Sequence, residues 1–492
     1  MKIAILADLH WAQGEPIKNK VLDWALAEVR REKADCIVAA GDMISFGRAA
    51  EARELRARLD AAKLPWLCTL GNAELRTPEE SEEVRKFFAT AQESDAVILV
   101  DSSRSALSEA DCARLAALPD GANKLLATHI PFASLPEEDR DLLAAAQARG
   151  AVGAVIAGHV HYDSPLTLRG LDPDKAQGGP PAVAFLEQDG AGRWRRYDRT
   201  MPGVAPADWS EAERREFRDG IGLALMYEPV AMLDFAIRHG IKAVELRGGT
   251  VAEKDAELDA LLMRWRAGGG QVLSLHLSEL APEAGGKCEE LALLVRRAAE
   301  LGCQRVTLHV PKVRKCDFAG ERDALLAQAG RVLAPLAQSR IAIGIENMHW
   351  TAGDTEETRR YGCTIGECRE WLALMRQALP ECAVGFHLDI GHARNNGVWA
   401  SRQPVGAWYA ALGRELNGMH IHQVRRNPDG SFSNHQALTG FYDPLIALGG
   451  LFLAWRGGIL NHVPMFLEVR GNGGPASYEA LTAALDGPSA RA

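Results

Sequence analysis

No run of 18 or more apolar residues occurs in these 492 residues, so no helical membrane span is expected. A cleavable leader is not expected either. MKIAILADLH carries one Lys and a short apolar run that ends in a polar motif, and it reads as a first strand. Cysteine is sparse: the nine thiols, at positions 36, 68, 112, 288, 303, 316, 363, 368 and 382, are odd in number and never spaced as CxxC. That pattern fits reduced thiols in a cytoplasm. Lys/Arg runs with interleaved aromatics are lacking, and the net charge of −9 argues against a broad nucleic-acid-binding surface, leaving room only for a local basic groove. Long internal repeats and low-complexity tracts are absent as well. What remains is the composition of a soluble globular protein, 47% hydrophobic and 25% charged. The length exceeds one ordinary core and predicts two or three domains.

Seven residues of metal-ligand type occupy the first third of the chain. They are Asp8 and His10 in LADLHW, Asp42 in AAGDM, Asn72 in LGNAE, His129 in ATHIP, and His159 and His161 in AGHVH. Each follows a short run rich in Ile, Val, Leu or Ala, the mark of a buried strand about to emerge into a loop. Strand ends gathered at one rim of an α/β sheet let side chains far apart in sequence converge. Carboxylate, imidazole and amide donors together suit two divalent cations such as Mn, Fe or Zn. Asp42, with two oxygens to share, is the expected bridge. Two cations about 4 Å apart activate a water and clamp both oxygens of an in-line displacement at phosphorus.

The order DxH, GD, GN, H, GHxH resembles that of the calcineurin-like metallophosphoesterases, over residues 1 to about 200. The resemblance implies a β-sandwich flanked by helices, with Asp8, His10, Asp42 and His161 on one metal and Asp42, Asn72, His129 and His159 on the other. It marks His10 and Asn72 as candidate catalytic residues. One position departs from the pattern. The family reads GNH followed by an acid, whereas this chain has Gly71-Asn72-Ala73-Glu74. The missing histidine is the one expected to protonate the leaving group or steady the transition state. Such help is worth roughly 10² to 10⁴, so the departure predicts a slower enzyme, a good leaving group or a substitute donor.

Between residues 178 and 206 the sequence becomes rich in Gly and Pro. GGPPAVAFL reads as a final strand, and 201–208 as a linker between a domain at 1–200 and another at 209–492. Arg193, Arg195, Arg196 and Arg199 read as a solvated strand end. Before the seam, strands alternate with helical patterns at 18–32, 49–62, 78–92 and 136–149, where Leu22, Leu26 and Val29 mark an amphipathic face. After it, candidate strands lie at 220–227, 242–248, 272–279, 305–311, 341–348, 383–393, 416–424 and 464–471. Helical stretches at 229–239, 255–267, 286–302, 322–336 and 364–378 fall between them. Eight strand–helix units match a (β/α)₈ barrel, with an open doubly wound sheet as the alternative.

A barrel should carry its chemistry at the C-terminal ends of its strands. The polar residues there are His276, His309, Glu346, Asp389, His392, His422 and Glu468, and His435 follows in the loop after the seventh strand. His420 lies two residues before His422 on the same strand face; His422, nearer the strand end, is the expected ligand of the pair. This half resembles the xylose-isomerase-like TIM barrels, a group that includes sugar isomerases, epimerases and endonuclease IV. The likeness covers about residues 205–480 and is carried by Ile345-Glu346-Asn347, Leu388-Asp389-Ile390-Gly391-His392, His420-Ile421-His422 and Phe466-Leu467-Glu468. It implies one ion on Glu346, Asp389, His422 and Glu468 in the isomerase manner. In the endonuclease manner it implies three, using His276, His309, His392 and His435 as well. The barrel would then hold one to three Zn or Mn ions, with Glu346 and His392 as candidate catalytic residues. Ser433 stands where endonuclease IV has an aspartate, and Gln423-Val424-Arg425-Arg426 replaces its NDSK-like run. Arg425 and Arg426 are candidate substrate-binding residues.

Three readings follow. The first is a cytoplasmic bifunctional metalloenzyme, a dinuclear phosphoesterase (phosphomono- or diester) fused to a second metal-dependent site acting on a phosphorylated, sugar- or nucleotide-like small molecule. The second is a sugar or sugar-phosphate isomerase or epimerase with an accessory front domain. The third, disfavoured by the acidic charge, is a nucleic-acid-processing or abasic-site enzyme. Oligomeric state is not legible.

Overall fold

Strand β1 (Lys2–Leu6) opens the chain at the centre of a five-stranded sheet, parallel to β2 (Cys36–Ala40) and antiparallel to β7 (Ala182–Gln188). β3 (Trp66–Thr69) and β8 (Trp194–Thr200) are its edges, while β4 (Val97–Leu99), β5 (Lys124–Thr128) and β6 (Val152–Ala157) form a second, parallel sheet. The two sheets share one core. Ile3, Ile5, Val38 and Leu67 of the first pack with Val97, Leu99, Leu125 and Ile156 of the second. The other face of the second sheet packs Ile98 and Leu126 against Leu115 and Leu143 of the helices Glu109–Ala116 and Glu137–Ala148. This is a β-sandwich flanked by helices.

The computed structural model describes residues 1–282 and 286–486, so the end of the expected barrel domain, 487–492, lies outside the described residues. The chain divides into two compact units: Met1–Ala205 with Ala447–Gly450, and the remainder from Pro206. Met201, Val204 and Pro206, in the segment read as a linker, are buried.

Local chemistry explains where the expected helices hold or shift. Pro16 starts the helix Pro16–Arg31, and Val21, Leu22, Ala25, Leu26 and Val29 line its buried face at helical spacing. The helix expected over 78–92 is instead a 3₁₀ turn, Pro78–Glu80, and a short helix, Ser81–Phe87. Beyond it, Thr90 leaves helical bonding, and its hydroxyl accepts the Cys68 N–H at 2.9 Å. The helix Glu109–Ala116 was not anticipated; its signal is Ser108, whose hydroxyl accepts the Asp111 N–H at the cap. WRRYDRT forms edge strand β8, and its arginines are largely neutralised. Arg196 lies 2.9 Å from both Asp163 and Asp198, and Arg199 lies 2.8 Å from Glu32.

In the second unit β9 (Ile221–Leu225), β10 (Ala243–Arg247), β11 (Val272–His276), β12 (Arg305–His309), β13 (Ala342–Glu346), β14 (Val384–Asp389) and β15 (Leu416–Ile421) run parallel in order. After a hairpin of β16 (Gln423–Arg426) and β17 (Phe432–Gln436), β18 (Met465–Leu467) closes the barrel onto β9. All eight barrel strands stop short of their expected ends, and two of the expected stretches break into a new element. The 383–393 stretch breaks at Asp389, whose carboxylate accepts the His392 N–H at 2.7 Å and caps the short helix Ile390–Arg394. The 416–424 stretch breaks at Ile421, and Gln423 begins the hairpin. No helix among the described residues is long and apolar enough to cross a membrane.

Candidate metal centres

In the first unit the seven predicted residues converge. Asp8, His10 and His161 offer ligand atoms within 4.8 Å of one another, and so do Asp42, His129 and His159. Asp42 faces both groups, with Oδ2 3.6 Å from His10 Nε2 and Oδ1 3.3 Å from His129 Nε2. Asn72 Oδ1 lies 3.2 Å from the same His129 nitrogen. All seven side chains come from loops that leave strand ends. Five of them, Asp8, His10, Asp42, His159 and His161, adopt positive φ between 47° and 72°. Non-glycine residues occupy that region at a cost and concentrate at functional sites. The glycines of the GN and GH pairs are set by close approach. A Cβ on Gly158 would stand 2.6 Å from Asp8 Oδ2, and one on Gly71 would collide with the Asp42 carboxylate.

Ala73, in place of the histidine the motif predicts, is fully buried, and its N–H donates to Asp42 Oδ1 at 2.6 Å. The neighbouring Glu74 is not a ligand. Its carboxylate accepts the N–H groups of Gly71, Asp42 and Ile44 at 2.7, 2.9 and 3.0 Å, tying the GD and GN loops together. Arg76 donates to the Ser45 carbonyl at 2.7 Å. Burial pushes Asp42 toward the neutral acid, but the charges of His129 and Arg76 and the Ala73 N–H hold it below the usual carboxylate range. Burial raises Asp8 to about 7, with His129 opposing and Asp42 adding to the rise. Burial, aided by Lys175, lowers His161 to about 3, so its ring is neutral and free to donate a lone pair.

In the barrel all eight predicted residues meet at the C-terminal mouth in overlapping groups: His276, His309 and Glu346; His276, His420 and Glu468; and Asp389, His392, His422 and His435. Glu346 Oε2 lies 3.1 Å from His276 Nε2 and 3.4 Å from His309 Nε2. His435 Nε2 lies 3.3 Å from Glu468 Oε2. His420, set second to His422 in the sequence reading, faces more of the carboxylates. Its Nδ1 is 3.1 Å from both Glu346 and Glu468, whereas His422 turns its Nε2 to Asp389 at 3.1 Å. Arg425 and Arg426 stand exposed on β16.

Most of these imidazoles have one nitrogen engaged behind the cluster and the other aimed into it. His276 Nδ1 meets the Leu277 carbonyl at 3.1 Å, His392 Nδ1 the Asn347 carbonyl at 3.0 Å, and His309 Nδ1 the Glu279 carboxylate at 3.2 Å. In the first unit His129 Nδ1 meets the Ala40 carbonyl at 3.1 Å. Metal-binding histidines are held this way, which fixes ring orientation and tautomer. The donor sets therefore fit divalent ions in both units.

Residues beneath the barrel mouth were missed. Glu245 Oε1 receives His420 Nε2 at 2.6 Å, and Oε2 accepts the hydroxyls of Ser274 and Thr307 at 2.6 and 2.5 Å. Arg305, fully inside the barrel, donates to Thr307 at 3.1 Å and to His387 at 2.7 Å, and lies 3.3 Å from Glu245. Their only sequence signal is a charged residue inside an apolar strand, in AVELR and RVTLH. Burial opposes ionisation of Glu245, yet the facing His420 holds it well below the usual range.

Solved structures similar to the chain include a xylose isomerase described as putative from Rhodospirillum rubrum (16% identity, 54% of this chain and 98% of that one, TM-score 0.42). A D-psicose 3-epimerase from Clostridium cellulolyticum H10, solved with D-tagatose, matches at 14% identity over 54% of this chain and 97% of that one (TM-score 0.39). A xylose isomerase domain protein from Planctomyces limnophilus matches at 14% identity over 54% and 93% (TM-score 0.38). No curated protein matches the chain. A family model described as calcineurin-like phosphoesterase matches residues 1–163, and one described as xylose isomerase-like TIM barrel matches residues 233–481, just over half of the sequence. The chain belongs to the xylose isomerase-like TIM barrel family and carries a calcineurin-like phosphoesterase domain ahead of its barrel.

Proposed function

We propose that this chain is a bifunctional metal-dependent hydrolase. Its first unit is a dinuclear phosphomono- or diesterase that uses Mn, Fe or Zn. Its barrel carries out a second metal-dependent step, with Zn or Mn, on the same or a related phosphorylated sugar or nucleotide-like molecule. The observation that carries the reading is Asp42, placed between two groups of ligands with one oxygen toward each. When bound, a pair of divalent ions supplies Lewis acidity and charge neutralisation at a phosphoryl group. The chain's own residues do the rest. Asp8, His10 and His161 hold one side, and Asn72, His129 and His159 the other. The Glu74 clamp fixes the loops that bring Asp42 and Asn72 together. Ala73 offers no proton, so substrates with good leaving groups are favoured. In the barrel, Glu346, Asp389, Glu468 and the histidines gather ligand atoms, with His420 as the imidazole nearest the two glutamates.

Asp8→Ala and His161→Ala should abolish hydrolysis of p-nitrophenyl phosphate and its bis ester without changing the fold seen by circular dichroism. Wild-type turnover in either variant rejects the reading. One observation supports an isomerase or epimerase as second reading for the barrel: Glu346 and Glu468 flank a single imidazole, as a proton-moving pair around one ion would. Incubation with ketoses in deuterated water distinguishes them, since carbon-bound label arises only from isomerisation or epimerisation. Action on nucleic acid is the weakest of the three readings; nicking of abasic duplex DNA tests it.

A further inference from the structure

We propose that Arg247 anchors the barrel's substrate, as a guanidinium at the rim of the ligand cluster that grips an oxyanion, phosphate or carboxylate, on a sugar-like molecule. This rests on the reading of the barrel mouth as a metal centre and adds to it which group of the substrate is recognised, and by what.

Position comes first. β10 reads AVELR, and its Glu245 points into the barrel, where it meets His420, Ser274 and Thr307. Side chains two apart along a strand share a face. Arg247, two residues on and the last of the strand, therefore stands one layer above Glu245, at the mouth. The register agrees, since Arg247 pairs across to His276 on β11. Among the described residues it is the only permanent cation on which a barrel strand ends; the other strands end on aliphatic, imidazole or carboxylate side chains.

The charge of Arg247 is not spent. Its guanidinium lies 3.7 Å from Glu468 Oε1, too far for a hydrogen bond, and among the described residues it is paired with no other acid. The side chain is 38% exposed, so its donors reach solvent. Glu468 divides its two oxygens. Oε2 turns to His420 at 3.1 Å and to His435 at 3.3 Å, on the ligand side, and Oε1 turns to Arg247. The strand between them, β9, reads IGLAL and brings no charge of its own. Neighbouring arginines are committed elsewhere. Arg305 is buried and donates to Thr307 and His387, while Arg360 is gripped by Glu279 at 2.7 Å and donates to the Val310 carbonyl at 3.1 Å. A planar guanidinium with five N–H donors matches the paired oxygens of a phosphate or carboxylate. Glu346, Asp389 and Glu468 make the mouth anionic, and Arg247 is the fixed positive charge against which the charged end of a phosphorylated or acidic sugar docks.

The test uses the full chain carrying Asp42→Ala, loaded with manganese, so that the first unit contributes no dinuclear site. Elemental analysis counts the ions that remain, and inorganic phosphate and acetate are titrated in by calorimetry. Phosphate should bind, and adding Arg247→Ala should weaken it by roughly 10- to 100-fold with the manganese content unchanged. Arg247→Lys, which keeps the charge but not the planar fork, should fall between the two. A larger loss for phosphate than for acetate marks a phosphoryl group as the anion, and the reverse marks a sugar acid. Undiminished phosphate binding in Arg247→Ala overturns the inference, as does a parent chain that holds its manganese but binds neither anion. So does loss of manganese together with phosphate, which would make Arg247 a brace for Glu468 and nothing more. A parent chain that holds no manganese sinks the barrel reading itself, and this inference falls with it for that separate reason.

Discussion

Glu15 is a carboxylic acid with almost no water around it. It is 3% exposed, and neither oxygen has a hydrogen-bond partner. Burial raises it to about 8, with Lys18 opposing and Asp174 and Asp172 adding to the rise. The folded chain therefore keeps a proton that the unfolded chain releases near the ordinary glutamate value. Stability from this group is complete below about pH 4.5 and is lost as pH rises toward 8. Glu15→Gln, which imitates the protonated form, should melt roughly 5 °C above wild type at pH 8 and level with it at pH 4.5. Equal melting temperatures at both pH values would refute this. Glu279 makes a different case. It holds His309 Nδ1 at 3.2 Å and is itself gripped by Arg360 at 2.7 Å. Glu279→Gln should loosen one barrel ion by roughly 10- to 100-fold in chelator competition and leave the others alone. Unchanged competition would mean that the contact does not orient the ligand.

At the scale of elements, the chain announces its candidate ligands because each ends a short apolar run, and a buried strand that meets a loop has few other places to put an aspartate or histidine. That logic located Asp8, Asp42, His129, Glu346 and Glu468 at strand ends or just beyond them. It could not separate His420 from His422, since alternation places both on one face, and nothing in MHIHQV signals the break after Ile421. Nor could it find Glu245 and Arg305. A charge within a strand ordinarily marks a solvated face, and only closure of the barrel shows that these two neutralise one another inside it. The helix expected over 78–92 failed for a related reason, because the bond that captures Thr90 comes from a residue 22 positions away.

At the scale of the molecule, the two candidate ligand sets share no residue: the first is assembled by strand ends of both sheets of the sandwich, the second by the barrel. Asp42→Ala, which removes the residue facing both groups of the first unit, should release both ions there and leave the barrel's ion content as it was. Elemental analysis decides it, and a parallel loss from the barrel would show that the two centres are coupled. Phosphatase activity on an aryl ester should fall by at least about 10³, the scale on which a dinuclear site with its bridge removed loses charge stabilisation.

The left-handed backbone at Asp8, His10, Asp42, His159 and His161 has an evolutionary corollary. In each of these places glycine would relax the main chain, while the side chain proposed to hold a metal ion would vanish. A library of this gene selected only for heat resistance, in medium scrubbed of transition metals, should thus accumulate replacements at these five codons ahead of the neighbouring core.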